Sequence, residues 1–225
     1  NVEENDTISL SIYESSGKHI KTFSTKPDKK QKEEELKVKK GANLFNWDMQ
    51  YPDAEKIKGM ILWWASLKGP KALPGSYVVK LNKNGRLASE QEFKLLKDPR
   101  SSASDEDLIA QFDFIIEIQE KLTEIHKTLK NITKVKDQIE LLKKSISDKE
   151  KQKKILELAN AIIKKLTKNE NELYQTKSKS NQDPLNFPIR LNNKLAHLNS
   201  LSSIGDFKPT DQSIAFKKEV VHLID

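Results

Sequence analysis

The chain has 225 residues, of which 36% are hydrophobic and 32% charged, with a formal net charge of +7. That length buries one large core or two small ones, and the longest apolar run, Met60-Ile61-Leu62-Trp63-Trp64-Ala65, is far too short to span a bilayer. The absence of cysteine excludes disulfides, zinc-thiolate sites and cysteine nucleophiles. Basic residues are interleaved with acids (Lys29-Lys30-Gln31-Lys32 runs into Glu33-Glu34-Glu35) rather than with aromatics, so no nucleic-acid partner is expected.

The sequence begins at Asn1 and opens with no targeting segment; it is read as a fragment or processed form of a longer protein, for which a missing leader says nothing about export. Ile8, Leu10 and Ile12 alternate with Ser9, Ser11 and Tyr13, as in a half-buried strand. Ser15-Ser16-Gly17-Lys18 is a turn, and residues 19–23 return as the second arm of a hairpin. Residues 25–35 are charged, carry Pro27 and have no period, so a long loop is expected. Leu36-Lys37-Val38 and Leu44-Phe45-Asn46-Trp47-Asp48 read as two further short strands on either side of the turn at Gly41. Residues 51–59 read as loop, and residues 61–64 as either a short strand or an apolar loop lying on the sheet. The clearest hairpin comes last: residues 76–81, a turn around Asn84-Gly85 that suits positive φ angles, and residues 86–96. About seven short strands in this span predict an antiparallel Ig-like β-sandwich over residues 1–98.

The period changes at Asp98-Pro99-Arg100, where Pro99 restricts Asp98 to extended angles and the flanking charges are placed to bond across the joint. Ser104 is placed to cap a helix, with Asp107 three residues on. From Leu108 an uninterrupted stripe (Phe112, Ile115, Ile118, Leu122, Ile125, Leu129, Ile132, Val135, Ile139, Leu142, Ile146) steps every three or four residues. It predicts one helix roughly 60 Å long. Ser147-Asp148 is expected to close it and cap a second helix bearing Ile155, Leu158, Ile162, Leu166 and Leu173. Asp183-Pro184-Leu185-Asn186-Phe187-Pro188 is a linker packed through Leu185 and Phe187. A third helix carries Ile189, Leu191, Leu195, Leu198 and Leu201, and Pro209-Thr210 starts a fourth with Ile214, Val220, Val221 and Ile224. Four such stripes predict an antiparallel helical bundle over residues 101–225, α+β overall, with a homodimer through the helices favoured by the excess length of the first.

Candidate chemistry is sparse. His19, His126, His197 and His222 show no metal-ligand spacing, and His126 reads as a flank residue beside the stripe. Asp48 beside Trp47 is conceivable as a catalytic acid, with Asp53 or Glu55 as its partner. The plainer reading is that Asp48 bonds turn amides while Trp47 fills the sheet core. Trp63 and Trp64 are candidates for stacking on a glycan or for packing against a neighbouring domain. No nucleophile elbow, Ser/His/Asp pattern or phosphate-binding glycine loop occurs.

The run of residues 43–54 (Asn43-Leu44-Phe45-Asn46-Trp47-Asp48-Met49-Gln50-Tyr51-Pro52-Asp53-Ala54), with Gly69-Pro70, residues 73–81 and Asp98-Pro99-Arg100, resembles the C-terminal region of bacterial sortilin-like β-propeller proteins. Those proteins are commonly labelled BNR-repeat or sialidase-like glycosyl hydrolases. Residues 183–195 resemble their helical tail, and Ile8 to Gly17, Trp47-Asp48 and Pro74-Gly75-Ser76-Tyr77 further resemble the Ig-like domain of flagellar hook-capping proteins. The resemblance implies an exported accessory region, periplasmic, surface-bound or secreted, whose partner is an N-terminal propeller on the same polypeptide. No Asp-box repeat of the Ser-x-Asp-x-Gly-x-x-Trp type occurs here, so the hydrolase label would describe a domain outside this sequence. No catalytic, metal or cofactor residue carries over, and this chain is expected not to be an enzyme.

Overall fold

The computed structural model describes residues 3, 6–145 and 149–225. The fold is α+β: five strands and four α-helices among the described residues, strands first and helices after. Two compact units emerge, and both are discontinuous in sequence. One comprises Asn1–Pro52 and Pro70–Phe112, the other Asp53–Gly69 and Asp113–Asp225. Segment 53–69, expected within the sheet module, therefore belongs to the helical unit.

In the sheet unit, β1 (Ile8–Glu14), β2 (His19–Ser24), β3 (Glu34–Glu35), β4 (Gly75–Lys83) and β5 (Arg86–Leu95) form one sheet in the order β3-β2-β1-β4-β5. Pairs β1/β2, β1/β4 and β4/β5 are antiparallel and β2/β3 is parallel, so the sheet is mixed. The β4–β5 hairpin follows its turn chemistry, with φ of 52° at Asn84 and 76° at Gly85. Directly paired residues share a face: Leu10 lies opposite Phe23 and Leu81, and Tyr77 opposite Phe93.

Two expected strands, residues 44–48 and Leu36-Lys37-Val38, are not strands. Residues 44–48 pair with nothing in the sheet; instead Phe45 packs on Phe23 (4.7 Å between ring centroids) and Trp47 on Tyr77 and Phe93 (5.9 and 6.3 Å). Alternation here reports side chains aimed at a sheet face, which an extended segment achieves without joining a ladder. Leu44, aimed the other way, is 89% exposed. Residues 61–64, read as either a short strand or an apolar loop on the sheet, are irregular chain that belongs to the helical unit, and the parallel pairing falls on Glu34–Glu35, two residues before the expected Leu36-Lys37-Val38.

The helices are α1 (Asp105–Ser145), α2 (Lys149–Leu173), α3 (Leu191–Ser202) and α4 (Asp211–Ile224). Ser104 and Asp107 bond reciprocally through side chain and backbone N–H (both 3.1 Å), so the expected Ser104 cap is present, and Thr210, at the expected start of the fourth helix, caps it by accepting from the Ser213 N–H at Oγ1 (3.1 Å). Ile146 and the expected Ser147-Asp148 cap lie outside the described residues. The linker at 183–188 contains a single 3-10 turn, Asp183–Leu185, and Leu185 is 67% exposed rather than packed. At the joint, the Arg100 guanidinium and backbone N–H bond the Asp98 carboxylate (2.7–3.0 Å), so these charges close on each other.

The core of the helical unit is built on Phe114, Ile118, Leu122, Ile125 and Leu129 of α1, with Leu195, Ala196 and Leu198 of α3 and Val220 of α4. Of α2, Leu173 at its C-terminal end packs against this cluster, and Ala159 is buried farther up the helix. Two polar ties to α1, Lys143 with Asn160 (3.0 Å) and Lys136 with Glu170, set the two helices antiparallel. Beside α1, α3 and α4, the remaining side of the core is filled by Ala54, Ile57, Met60, Leu62, Ala65 and Leu67. A stretch of irregular chain thus takes the place a fourth helix would have.

Candidate functional site

The densest set of buried polar side chains lies where α3 meets segment 53–69. Leu195, Ala196 and Leu198 turn inward, and at 3.6 residues per turn Asn192 and Asn199 fall on the same side as Ala196, with Asn193 and His197 adjoining. Asn192 and Asn199 are fully buried and Asn193 is nearly so. Buried amides need partners, and for Asn193 and Asn199 the segment supplies them from its backbone, whereas Asn192 Nδ2 lies 3.5 Å from Met60 Sδ and from His126 Nε2. Asn193 Oδ1 accepts from the Trp63 N–H (2.7 Å) while its Nδ2 donates to the Trp63 carbonyl (2.9 Å). Asn199 Nδ2 donates to the carbonyls of Ser66 and Lys68 (3.0 and 2.9 Å), and the Ser66 N–H donates to the Ala196 carbonyl (3.0 Å). His197 Nδ1–H donates to the Trp64 carbonyl (2.6 Å).

Other elements continue the same grip. The Tyr174 hydroxyl, just past α2, accepts from the Ile61 N–H (3.1 Å), and Thr123 Oγ1 on α1 accepts from the Glu55 N–H (3.1 Å). His126 is not the flank residue that its place beside the stripe implies: it is fully buried, and its Nδ1–H donates to the Glu55 carbonyl (2.6 Å). A carbonyl only accepts, so the neutral ring carries its proton on Nδ1 and leaves Nε2 bare toward Asn192 Nδ2 (3.5 Å). Burial, chiefly, pushes the His126 pKa down; the Lys130 charge pushes the same way, while the Glu55 contacts oppose it.

The two candidate tryptophans are treated differently by this arrangement. Trp63 is half-buried and bound at both main-chain groups, whereas the Trp64 side chain is 75% exposed. Trp64 also sits at φ 48°, a left-handed angle that costs a bulky residue about 1–3 kcal/mol. The bonds to Trp63, Trp64 and Ser66 hold it there. The carboxylates conceivable as acids are paired with lysines: Asp48 with Lys21 (3.7 Å), Asp53 with Lys56 (2.6 Å), Glu55 with Lys130. Asp48 Oδ1 also accepts from the Gln50 N–H (3.1 Å), the turn-amide role expected of it. Among the described residues no three His, Asp or Glu side chains are grouped to hold a metal ion, and no helix is long and apolar enough to cross a membrane.

Two cavities among the described residues bear on the chemistry. One, lined by Ile61, Tyr174, Ser178, Phe187, Arg190 and Asn192 among others, has a volume of about 10 Å³, room for one water rather than an organic ligand. The other, in the sheet unit, is an open groove of about 600 Å³ whose lining includes Lys26, Lys37, Lys39 and Lys40 together with Glu3 and Asp6. Its Asp6 carboxyl is held down at about 2, first by the hydrogen bond from Lys83 and then by those of Glu3 and Asn84.

Sequence reasoning took α3 for a leucine stripe and passed over its asparagines. Three asparagines in a helix of 12 residues are a signal, because asparagine is a poor helix former that is tolerated where its amide is used. No family model, curated protein or solved structure matches this chain.

Proposed function

We propose that this chain is a non-catalytic C-terminal accessory region of a larger exported protein, one whose N-terminal part is a sortilin-like, BNR-repeat β-propeller of the glycosyl hydrolase-like kind. The motifs at 43–54, 73–81, 98–100 and 183–195 carry the family part of this reading. The non-catalytic part is supported by one observation: His126, Asn193, His197 and Asn199 are all engaged with the backbone of segment 53–69. A general acid, base or nucleophile has to reach a substrate, and these side chains reach main chain.

On this reading the sheet is an Ig-like sandwich whose second layer is the irregular segment bearing Phe45 and Trp47, and the four helices are a variant of an antiparallel bundle. Together they support the propeller and offer a helical surface to a partner or a second copy. Purified protein is incubated with aryl glycosides and sialosides; no hydrolysis above a heat-killed control is expected, and turnover overturns the reading. A second reading, carbohydrate binding through Trp63 or Trp64, is favoured by the exposed, backbone-pinned Trp64. On a glycan array, binding that disappears in Trp64→Ala or Trp63→Ala would establish it.

A further inference from the structure

Segment 53–69 has almost no structure of its own. Its internal main-chain bonds are few (Met60 N–H to the Ile57 carbonyl, Ala54 N–H to the Leu67 carbonyl), and its course is otherwise set by side chains of α1, α3 and Tyr174. Those side chains contact its N–H and C=O groups, which every residue type possesses, while its apolar side chains from Ala54 to Leu67 fill the core. Reading an extended segment through its main chain and anchoring it by spaced apolar residues is how peptide-binding grooves work. We infer that the groove between α1 and α3 is a peptide-reading groove, filled by the chain's own segment 53–69, and that the same segment of a second copy occupies it when the resident one is absent.

The resident segment is tethered at both ends, and within the sheet unit the flanking chain is clasped by the bond from the Tyr51 N–H to the Pro70 carbonyl (2.9 Å). Tethering gives it an effective concentration that a free competitor does not match, so exchange is visible only once the groove is emptied. Among possible occupants the second copy's loop is favoured because its fit is already displayed: the same anchors meet the same amides.

The test uses the full chain with residues 55–67 replaced by a glycine-serine spacer of equal length. A fluorescein-labelled peptide of residues 53–69 is titrated in and followed by anisotropy. Saturable binding is expected, at least about tenfold weaker to the unaltered chain, whose groove is filled. It is also expected to weaken by at least about tenfold when Asn199→Ala is added to the emptied chain. Mixing the emptied chain with a copy carrying Asn193→Ala and Asn199→Ala, whose loop is poorly held, is expected to give a 1:1 complex by light scattering. An emptied chain that keeps its helical circular dichroism yet binds neither peptide nor the second copy overturns the inference, as does equal binding of a scrambled peptide. If the emptied chain loses its helicity, the peptide is expected to restore it, and failure to do so overturns the inference equally.

Discussion

Asn193 serves both main-chain groups of Trp63 from a position that is nearly closed to solvent. Asn193→Ala therefore leaves an N–H and a C=O unpaired, which costs about 1–3 kcal/mol and lowers the melting temperature by roughly 2–4 °C per kcal/mol in a chain of this size. Thermal melts followed by circular dichroism read the loss, and a melting temperature unchanged within error would show that the amide contributes nothing to holding the segment. His126 adds a pH dependence. Its folded pKa is depressed, so the unfolded chain binds the proton more readily and protonation favours unfolding. The stability it contributes is complete above the ordinary imidazole value near 6.5 and is lost as pH falls toward the folded pKa. The charged or polar groups facing the ring are Glu55 and Lys130 and, from α3, Asn192. Melts at pH 7.5 and 5 are expected to differ more for the unaltered chain than for His126→Gln, which has no proton to gain; equal differences would remove His126 as the cause.

At the scale of elements, the sequence was most legible where one period ran unbroken. The helix at Asp105–Ser145, its Ser104 cap and the Asn84-Gly85 hairpin lie where the residues place them, because each depends on neighbours close in sequence. Legibility failed where a segment is held by distant partners. Residues 44–48 and 61–64 carry strand-like or apolar patterns, yet their burial comes from aromatic contacts and from the amides of α3, neither visible in local spacing. The far end of α1 follows a third logic. Its stripe persists past Ile132, but Val135 and Leu142 are exposed, as are Leu158 and Ile162 on α2, because α3 and α4 are too short to cover them. An apolar strip on a helical hairpin is a self-association surface. Light scattering is expected to give a dimer at micromolar concentration that dissociates in Leu142→Glu or Leu158→Glu, while a monomer in the unaltered chain would leave this strip without a role in assembly.

Across the whole molecule the chain passes between its two compact units three times, at Pro52/Asp53, Gly69/Pro70 and Phe112/Asp113. A boundary read only from the change of period at Pro99 cuts one of these passages' neighbourhoods and ignores the other two. Residues 101–225 made alone would keep all four helices but lose Ala54, Ile57, Met60, Leu62, Ala65 and Leu67 from the core, and would leave Asn193, Asn199 and His126 buried without their partners. Removing apolar contacts and orphaning polar groups at the same site are both unfavourable, and they act on the same cooperative unit. The fragment is therefore expected to melt at a distinctly lower temperature than the full chain, with a broader transition, or to remain a loosely packed helical state that binds a hydrophobic dye. A fragment as stable as the full chain, with a sharp transition and no dye binding, would mean that segment 53–69 is an ornament on a self-sufficient bundle rather than part of its core.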